Sequence, residues 1–502
     1  MTQANIRTPE WVRDAIFYQI FPDRFARSTR LKKPLNLESW ESAPTFHGFK
    51  GGDLLGVVEH LDYLVDLGIN AIYFTPVFQS SANHRYHTYD YYNVDPLLGG
   101  NAALRTLLDE AHKRGIRVIL DGVFNHASRG FFQFNDILEN GPYSPYIDWF
   151  KVHGWPLHAY ESTQSPNYDA WWNLPALPKF NIETAAVREY LLAVGEYWIK
   201  FGVDGWRLDV PSEINDDSFW QEFRSRVKAA NPDAYICGEI WHDARHWLQG
   251  DQFDAVMNYL FTRLCIEFFI GDKADPLMLQ GTTLWPVRNL SPQQFGAELE
   301  ALLALYPREV TEVQLNLLDS HDTARFVTMA RNDVTALRLA TVMQMVYPGA
   351  PSIYYGDEVG MSGGKDPLSR GAFPVDPTEW NKDLLNFFRR ATALRHAHPA
   401  LKRGSHETLY ARDSVYAMGR KLGDDRVVAA FNVGMSMAEA RIPVGAYFPD
   451  GSVVTDAFKK DRCTIENGEL VATILPRSAE VFVVDPVFLS QEPLRPGAQI
   501  AG

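Results

Sequence analysis

The segments DLGINAIYFTP (66–76), KRGIRVILDGV (113–123) and KFGVDGWRLDV (200–210) are built on one plan. A helical pattern ends, a glycine follows where a left-handed cap is needed, and an apolar run rich in β-branched residues begins. Upstream, residues 54–67 place Leu54, Val57, Val58, Leu61, Leu64 and Val65 on one helical stripe, and residues 184–201 do the same with Val187, Leu191, Val194 and Trp198. Helix, tight turn and strand, repeated, describe βα units and a parallel sheet. Strand patterns occur at 14–20, 70–75, 117–121, 203–209, 235–239, 253–258, 313–318 and 351–355, with helical patterns between most of them. Eight such units fit a closed (β/α)8 TIM barrel better than an open sheet.

The plan breaks twice. Between Asn125 and Phe180 the chain is rich in Pro, Tyr, Trp and Gly and has no strong helical period. That is too long for an ordinary βα loop and reads as a small inserted domain after strand 3. Beyond residue 405, SVYAMGRKL, RVVAAFNV and AEVFVVDP alternate with turn signals, the pattern of a C-terminal antiparallel β-sandwich. The expected divisions are a barrel over 1–124 and 181–405, an insert over 125–180, a sandwich over 406–486 and a tail over 487–502.

Bulk properties exclude several function classes. The net charge of −14 gives no basic field for phosphate backbones, so nucleic acid is not an expected partner. No apolar run is long enough to span a bilayer, so no membrane association is expected, and the opening MTQANIRTPEW lacks an apolar leader core. Cys237, Cys265 and Cys463 are odd in number, widely spaced, and form neither a disulfide framework nor a metal-ligand pattern. A cytoplasmic setting is the simpler reading.

Charged residues gather where the predicted strands end: Asp121, then Asn125 and His126; Arg207 and Asp209; Glu239; His321 and Asp322. Arg207 and Asp209 stand two apart and aim at one side of their strand, leaving Trp206, Leu208 and Val210 to the other. In a (β/α)8 barrel all these ends meet on one rim, where active sites form. Any one of these residues has an ordinary reading, and Arg207 with Asp209 alone is as readily a structural ion pair. Three acids, an arginine and two histidines on one rim suit glycoside cleavage instead. Retention of configuration needs one carboxylate as nucleophile and one protonated carboxyl, about 5–5.5 Å apart. Asp209 is the expected nucleophile, kept ionised by Arg207, and Glu239 the expected acid, its pKa raised by an apolar setting from Ile240 and Trp241. Asp322 is expected to bind sugar hydroxyls and favour a distorted ring.

The motifs DGVFNH (121–126), GWRLDV (205–210), GEIW (238–241) and LLDSHD (317–322), with LPKFN (177–181), resemble the α-amylase family of retaining glycoside hydrolases. The resemblance implies Asp209 as nucleophile, Glu239 as acid/base and Asp322 as transition-state stabiliser. It also implies that Arg207, His126 and His321 line the pocket of the reacting sugar, with Asp121 and Trp241 counted among its substrate-binding residues. Tyr86, in HRY (84–86), resembles a tyrosine that stacks on that sugar. Asp366 and Arg370, in GGKDPLSR, resemble a pair that binds the next sugar on the non-reducing side. GEIWHD, NLLDSHDTAR and YYGDEVGMSGGKDP are most similar to the cyclomaltodextrinase, maltogenic amylase and neopullulanase group. That group cuts α-1,4 links in cyclodextrins, starch and pullulan and often transfers sugars, and the expected substrate is accordingly an α-glucan or cyclodextrin.

Three departures from the group stand out. Its extra N-terminal β-domain is not expected here, because DAIFYQIFPDRF begins at residue 14, and a monomer or homodimer is left open. The group's calcium loop after PDRF reads ARSTRLKKP here, with Arg27, Thr29, Lys32 and Lys33 where oxygen ligands belong. A lysine or arginine of this loop is expected to replace the ion beside Asp53, so no metal and no cofactor are expected. VPSE (210–213) stands where the group has VANE, and His87 where an Asp is common. A 4-α-glucanotransferase, using the same intermediate, is the alternative activity, and a non-catalytic sugar-binding relative the less favoured one. Of the insert's tryptophans, Trp149, Trp155, Trp171 and Trp172, a subset is expected to stack on sugar, though any single one more simply packs its own domain.

Overall fold

The computed structural model describes residues 6–160 and 163–484, so the expected tail lies outside the described residues. Eight parallel strands form the barrel: β1 (Phe17–Ile20), β2 (Ala71–Phe74), β3 (Arg117–Gly122), β4 (Gly205–Leu208), β5 (Tyr235–Gly238), β6 (Ala255–Val256), β7 (Leu315–Leu317) and β8 (Ala350–Tyr354). Each overlaps one of the eight predicted runs, although β6 shrinks to two residues. The order is β6-β5-β4-β3-β2-β1-β8-β7, and a parallel bridge between Met257 and Leu315 closes the ring.

The three repeated glycines explain how helices feed strands. Gly68, Gly115 and Gly202 have φ of 83°, 73° and 108°, a region costly for any residue with a Cβ. The residue after each donates back over the cap, Ile69 to Leu64 O, Ile116 to Ala111 O and Val203 to Trp198 O, at 2.9, 2.9 and 3.1 Å. This is the Schellman closure, and it turns the chain straight into a strand.

Strand alternation then divides the residues between two cores. Phe17, Tyr73, Ile119, Tyr235, Cys237, Ala255, Leu315 and Leu317 fill the barrel interior. Tyr18, Ile72, Phe74, Val118, Leu120, Trp206, Leu208 and Ile236 face outward into the helical layer. Val210 does not continue that outward row. It lies beyond β4 at φ 36°, ψ 49°, where the chain turns into Pro211. The predicted helix over 54–67 is two helices, Leu54–Glu59 and Leu61–Asp66, broken at His60. Val65, predicted on the buried stripe, is 45% exposed as a result of this break in register.

The segment between β3 and β4 contains a nine-residue helix, Phe132–Asn140, that the sequence pattern did not reveal. Only Phe134 and Ile137 of that helix are buried, too few for a readable period. Bridges His126–Lys179, Phe150–Phe180, Val152–Tyr168 and Ala170–Pro178 lace the segment to itself and to the end of β3.

The C-terminal strands are β9 (Ser405–Arg412), β10 (Val415–Leu422), β11 (Asp425–Asn432), β12 (Ala438–Pro443), β13 (Val453–Asp456), β14 (Arg462–Thr464), β15 (Glu469–Ile474) and β16 (Ser478–Val483). A six-stranded antiparallel sheet, β9-β10-β11-β16-β13-β14, packs on the pair β12-β15. Val428, Ala430, Ile442, Leu470, Ile474 and Phe482 fill the space between them.

Candidate active site

The alternation that fills the barrel with apolar side chains also points Gln19, Tyr73, Asp121 and Arg207 inward at its carboxyl end. There they meet residues from the loops. The buried Arg207 guanidinium is the centre. Its Nη1 donates to Asp121 Oδ2 at 2.9 Å and to Asp209 Oδ1 at 3.1 Å. Its Nη2 lies 3.0 Å from Glu239 Oε2 and 3.9 Å from Asp322 Oδ2. The register of β4 with β5 pairs Leu208 with Gly238, so Asp209 and Glu239 leave adjacent strands side by side.

Arg207 therefore does not single out Asp209, as the spacing in its own strand suggested; it bridges both acids. Glu239 is not in an apolar niche either. Trp241 Nε1 donates to its Oε1 at 2.9 Å, and the Val210 amide donates to its Oε2 at 3.0 Å. The left-handed turn at Val210 is what aims that amide, an uncommon conformation for a β-branched residue and one found at functional sites.

One guanidinium cannot neutralise four carboxylates. Burial, and then the charge of Glu239, push Asp209 well above the usual carboxylate range against the opposing pull of Arg207. The same two causes push Asp322 up to about 7. Burial also raises Asp121, although Arg207 and the hydroxyls of Tyr73 and Tyr86 work the other way. Burial works against the charge of Arg207, but Asp121 and Glu239 hold it firmly protonated. The rise is a property of the cluster and not of one member.

The two histidines are buried, and His321 walls this pocket. Burial first, and then Arg370 and Arg207, keep His321 well below its usual range. Its Nδ1 meets Gln19 Nε2 at 2.7 Å, and its ring stacks on Tyr86 at 5.4 Å with planes 4° apart. Tyr86 donates to Asp121 Oδ2 at 2.9 Å. His126 is pushed down to about 3 by burial, and its buried Nε2 has no hydrogen-bond partner in the structure. Arg370 donates through Nε to His321 O at 2.9 Å and pairs with Asp366 at 2.9 Å and Asp322 at 3.5 Å. The other predicted site residues are joined in this one network, whereas the His126 ring meets Asn125 Nδ2 at 3.2 Å and stacks on Trp171.

Four residues of the network went unread in the sequence. Gln19 orients His321. Tyr73 donates to Asp121 Oδ2 at 2.8 Å. Met257 Sδ lies 3.3 Å from Arg207 Nε, and Tyr259 stacks under Trp241 with planes 8° apart. A signal for Gln19 and Tyr73 existed: each is a polar group at an inward position of a strand that is otherwise apolar on that side.

A family model of the α-amylase catalytic domain matches residues 19–381, and one of the neopullulanase-like C-terminal domain matches 406–482. The chain belongs to the α-amylase family. A Bacillus cyclomaltodextrinase is 48% identical over 420 residues, 83% of this chain and 72% of that protein. Among solved structures, Ttha1563 from Thermus thermophilus superposes with a TM-score of 0.90 at 49% identity, covering 95% of this chain and all of the other. The native debranching enzyme of Nostoc punctiforme does so at 0.88 and 49%, covering 96% and all. The protein is thus an α-amylase-type glycoside hydrolase of α-glucans.

The calcium ion implied by the group would sit at Asp53. In this α-amylase-family member, Lys33 Nζ lies 2.6 Å from Asp53 Oδ2. The amides of Ser28 and Gly56 donate to the same carboxylate at 2.9 and 2.8 Å. Lys33 also reaches Leu97 O at 3.4 Å. An ammonium and two amide donors around one carboxylate do not suit a calcium ion, which needs several oxygens and no neighbouring cation. The four insert tryptophans divide. Trp149 packs among Phe131, Tyr146 and Tyr190, Trp155 is 42% exposed, and Trp171 and Trp172 form a stack beginning on His126.

Proposed function

We propose that this enzyme hydrolyses α-1,4-glucosidic bonds of cyclodextrins, maltooligosaccharides or starch with retention of configuration. In the first step the Asp209 carboxylate attacks C1 while Glu239 gives its proton to the glycosidic oxygen, which departs with the bonding pair. In the second step Glu239 takes a proton from water as that water attacks C1 and displaces Asp209. Arg207 holds both acids through separate nitrogens, so neither can turn away as their charges exchange. Asp322 faces the sugar hydroxyls and offers negative charge as the ring becomes oxocarbenium-like. The Tyr86–His321 stack supplies a flat wall for the ring, and His126 Nε2 an unpaired group for a sugar hydroxyl. Lys33 takes the place of a structural cation, so the reaction has no metal requirement. Sharing this intermediate with a sugar acceptor gives some transglycosylation. Three free cysteines, two of them buried, accord with a cytoplasmic location.

The observation that supports this reading is that Asp209, Glu239 and Asp322 all lie within reach of Arg207 at the carboxyl end of the barrel. The test is product analysis on β-cyclodextrin, soluble starch, pullulan and maltotriose, with the anomer of the first product read by NMR. Release of α-anomers from cyclodextrin and starch, and panose from pullulan, is expected. Maltotriose as the pullulan product assigns α-1,6 cleavage instead, longer chains made from maltotriose at the earliest times assign a transferase, and β-anomers overturn the double displacement.

A further inference from the structure

Asp319, Asp357, Glu358 and Arg325 are all buried behind the loop that carries His321 and Asp322, and none of them takes part in the reaction just described. Asp319, beyond the end of β7, accepts from Phe326 N through Oδ2 at 2.5 Å, so one carboxylate joins the two feet of the loop 320–325. Inside the loop, Thr323 Oγ1 accepts from Ser320 N at 3.0 Å and Ser320 Oγ from Asp322 N at 3.2 Å. Ser320 Oγ also meets Tyr259 Oη at 3.1 Å, and Tyr259 stacks under the tryptophan that holds Glu239. Arg325 ends the loop. It donates from Nη1 to Asp357 Oδ1 at 2.8 Å and lies over the rings of Tyr354 and Tyr355 at 4.4 and 5.0 Å.

With every acid ionised, the charges here do not balance. Arg325 is the cation that faces Asp319, Asp357 and Glu358. Glu358 is well supplied with donors: its Oε1 accepts from the hydroxyls of Tyr18 and Tyr63 at 2.8 and 2.6 Å, and its Oε2 from Gly356 N at 3.0 Å. Asp319 is not, because its buried Oδ1 meets no N–H or hydroxyl donor among the described residues. The Asp357 carboxyl stands within hydrogen-bonding reach of the Asp319 carboxyl. Two buried carboxylates in contact repel, whereas one proton between them turns the contact into a hydrogen bond. Burial, and then the charge of Asp319, push Asp357 well above the usual carboxylate range, against the pull of Arg325.

We propose that Asp357 holds a proton and donates it in a hydrogen bond to Asp319, and that this acid pair fixes the loop bearing His321 and Asp322. Asp357 keeps one oxygen for Arg325 and uses its proton on Asp319. Asp319 stays ionised and takes Phe326 N on one oxygen and the Asp357 proton on the other. Neither acid can withdraw without baring its neighbour, so the loop has one position. Asp357 is thus a positioning residue that acts through Asp319 and touches no substrate. Its importance to catalysis rests on the hydrolase reading, which gives Asp322 its role at the sugar.

The test uses Asp357→Asn, whose amide donates to Asp319 and accepts from Arg325 at every pH, and Asp357→Val, which does neither. Melting temperatures of the parent and Asp357→Asn are compared from about pH 4.5 to 9. A folded pKa above the ordinary 3.8 makes the parent lose stability as pH rises, so the variant is expected to gain on the parent with rising pH. A difference that stays flat, or moves against the variant, makes Asp357 an ordinary anionic partner of Arg325 and overturns the shared proton. Per folded molecule, kcat on β-cyclodextrin is expected to stay within about threefold of the parent in Asp357→Asn and to fall about 10- to 100-fold in Asp357→Val, the scale of a small misplacement. In an Asp322→Asn background, Asp357→Val is expected to cost less than about threefold more, because its effect passes through Asp322. Equal losses in both backgrounds, or no loss in either, overturn the positioning role. Asp357→Ala serves in the same cycle if Asp357→Val does not fold. A parent inert on β-cyclodextrin removes the hydrolase reading and the positioning role with it, while the melting curves still decide the shared proton.

Discussion

Two buried ionic groups stand on the catalytic side of this barrel, and they are built on opposite terms. At Asp53, one carboxylate meets one ammonium and two backbone amides, and its charge is matched. At Arg207, one guanidinium faces Asp121, Asp209, Glu239 and Asp322, with Arg370 helping from the edge. The first also caps a helix, since Asp53 is the residue before Leu54–Glu59 and accepts from Gly56. The second leaves three of its acids, Asp121, Asp209 and Asp322, above the usual carboxylate range. A matched group tightens a fold. A mismatched one stores unsatisfied charge that only a substrate or a proton relieves, and such frustration marks working sites.

The largest break in this comparison is expected at Asp209. Asp209→Asn keeps size and hydrogen bonding but removes the attacking electron pair, so cleavage of β-cyclodextrin should fall at least about 10³-fold, the scale of losing a covalent nucleophile. Because the lost charge was crowded, the melting temperature should hold or rise. Reducing-sugar release within tenfold of the parent would move the nucleophile elsewhere.

Lys33 should answer in the opposite sense. Lys33→Met leaves Asp53 buried without its counter-ion, and breaking a buried pair costs about 3–5 kcal/mol. Thermal unfolding should show that loss with cleavage per folded molecule preserved, and Lys33→Met with Asp53→Asn should lose less than the two changes summed. Chelation with EDTA should leave the parent's melting temperature where it was. A fall on chelation that added calcium restores would assign a cation to Asp53 and dismiss the ammonium.

The contrast also marks what could be read from the chain. Gly68, Gly115 and Gly202 announced the strands because a left-handed cap has a residue-type signature. The rim acids were legible for a related reason: charge at the end of an apolar run is rare enough to notice. The loop cations near Asp53 were visible, but which one reached it, Lys33, depended on the path of 27–33. Arg207's bridging role was hidden because Glu239 belongs to the next strand, and register is set by the whole barrel. Val210 read as strand, since nothing in its own type prefers φ 36°. The aromatic-rich insert was recognised from composition alone, and neither its helix at Phe132–Asn140 nor the stack on His126 has a period to betray it.

The smallest effect, and the sharpest on sign, belongs to Asp322. Its folded pKa near 7 lies above the ordinary 3.8, so the folded state binds more protons than the unfolded chain between those values. Stability then falls as pH rises from about 4 to 7 and levels off above, which is the reverse of a salt-bridged carboxylate. Asp322→Asn removes the crowded charge, so it should stabilise the protein at pH 8 and lose that advantage towards pH 4. With its side chain 29% exposed the charge is partly solvated, and the gain should be about 2 kcal/mol. Urea unfolding of both forms at the two pH values measures it. If Asp322→Asn instead destabilised the protein at pH 8, the carboxylate would be matched after all, and the distinction between the two buried groups would fail at its weaker end.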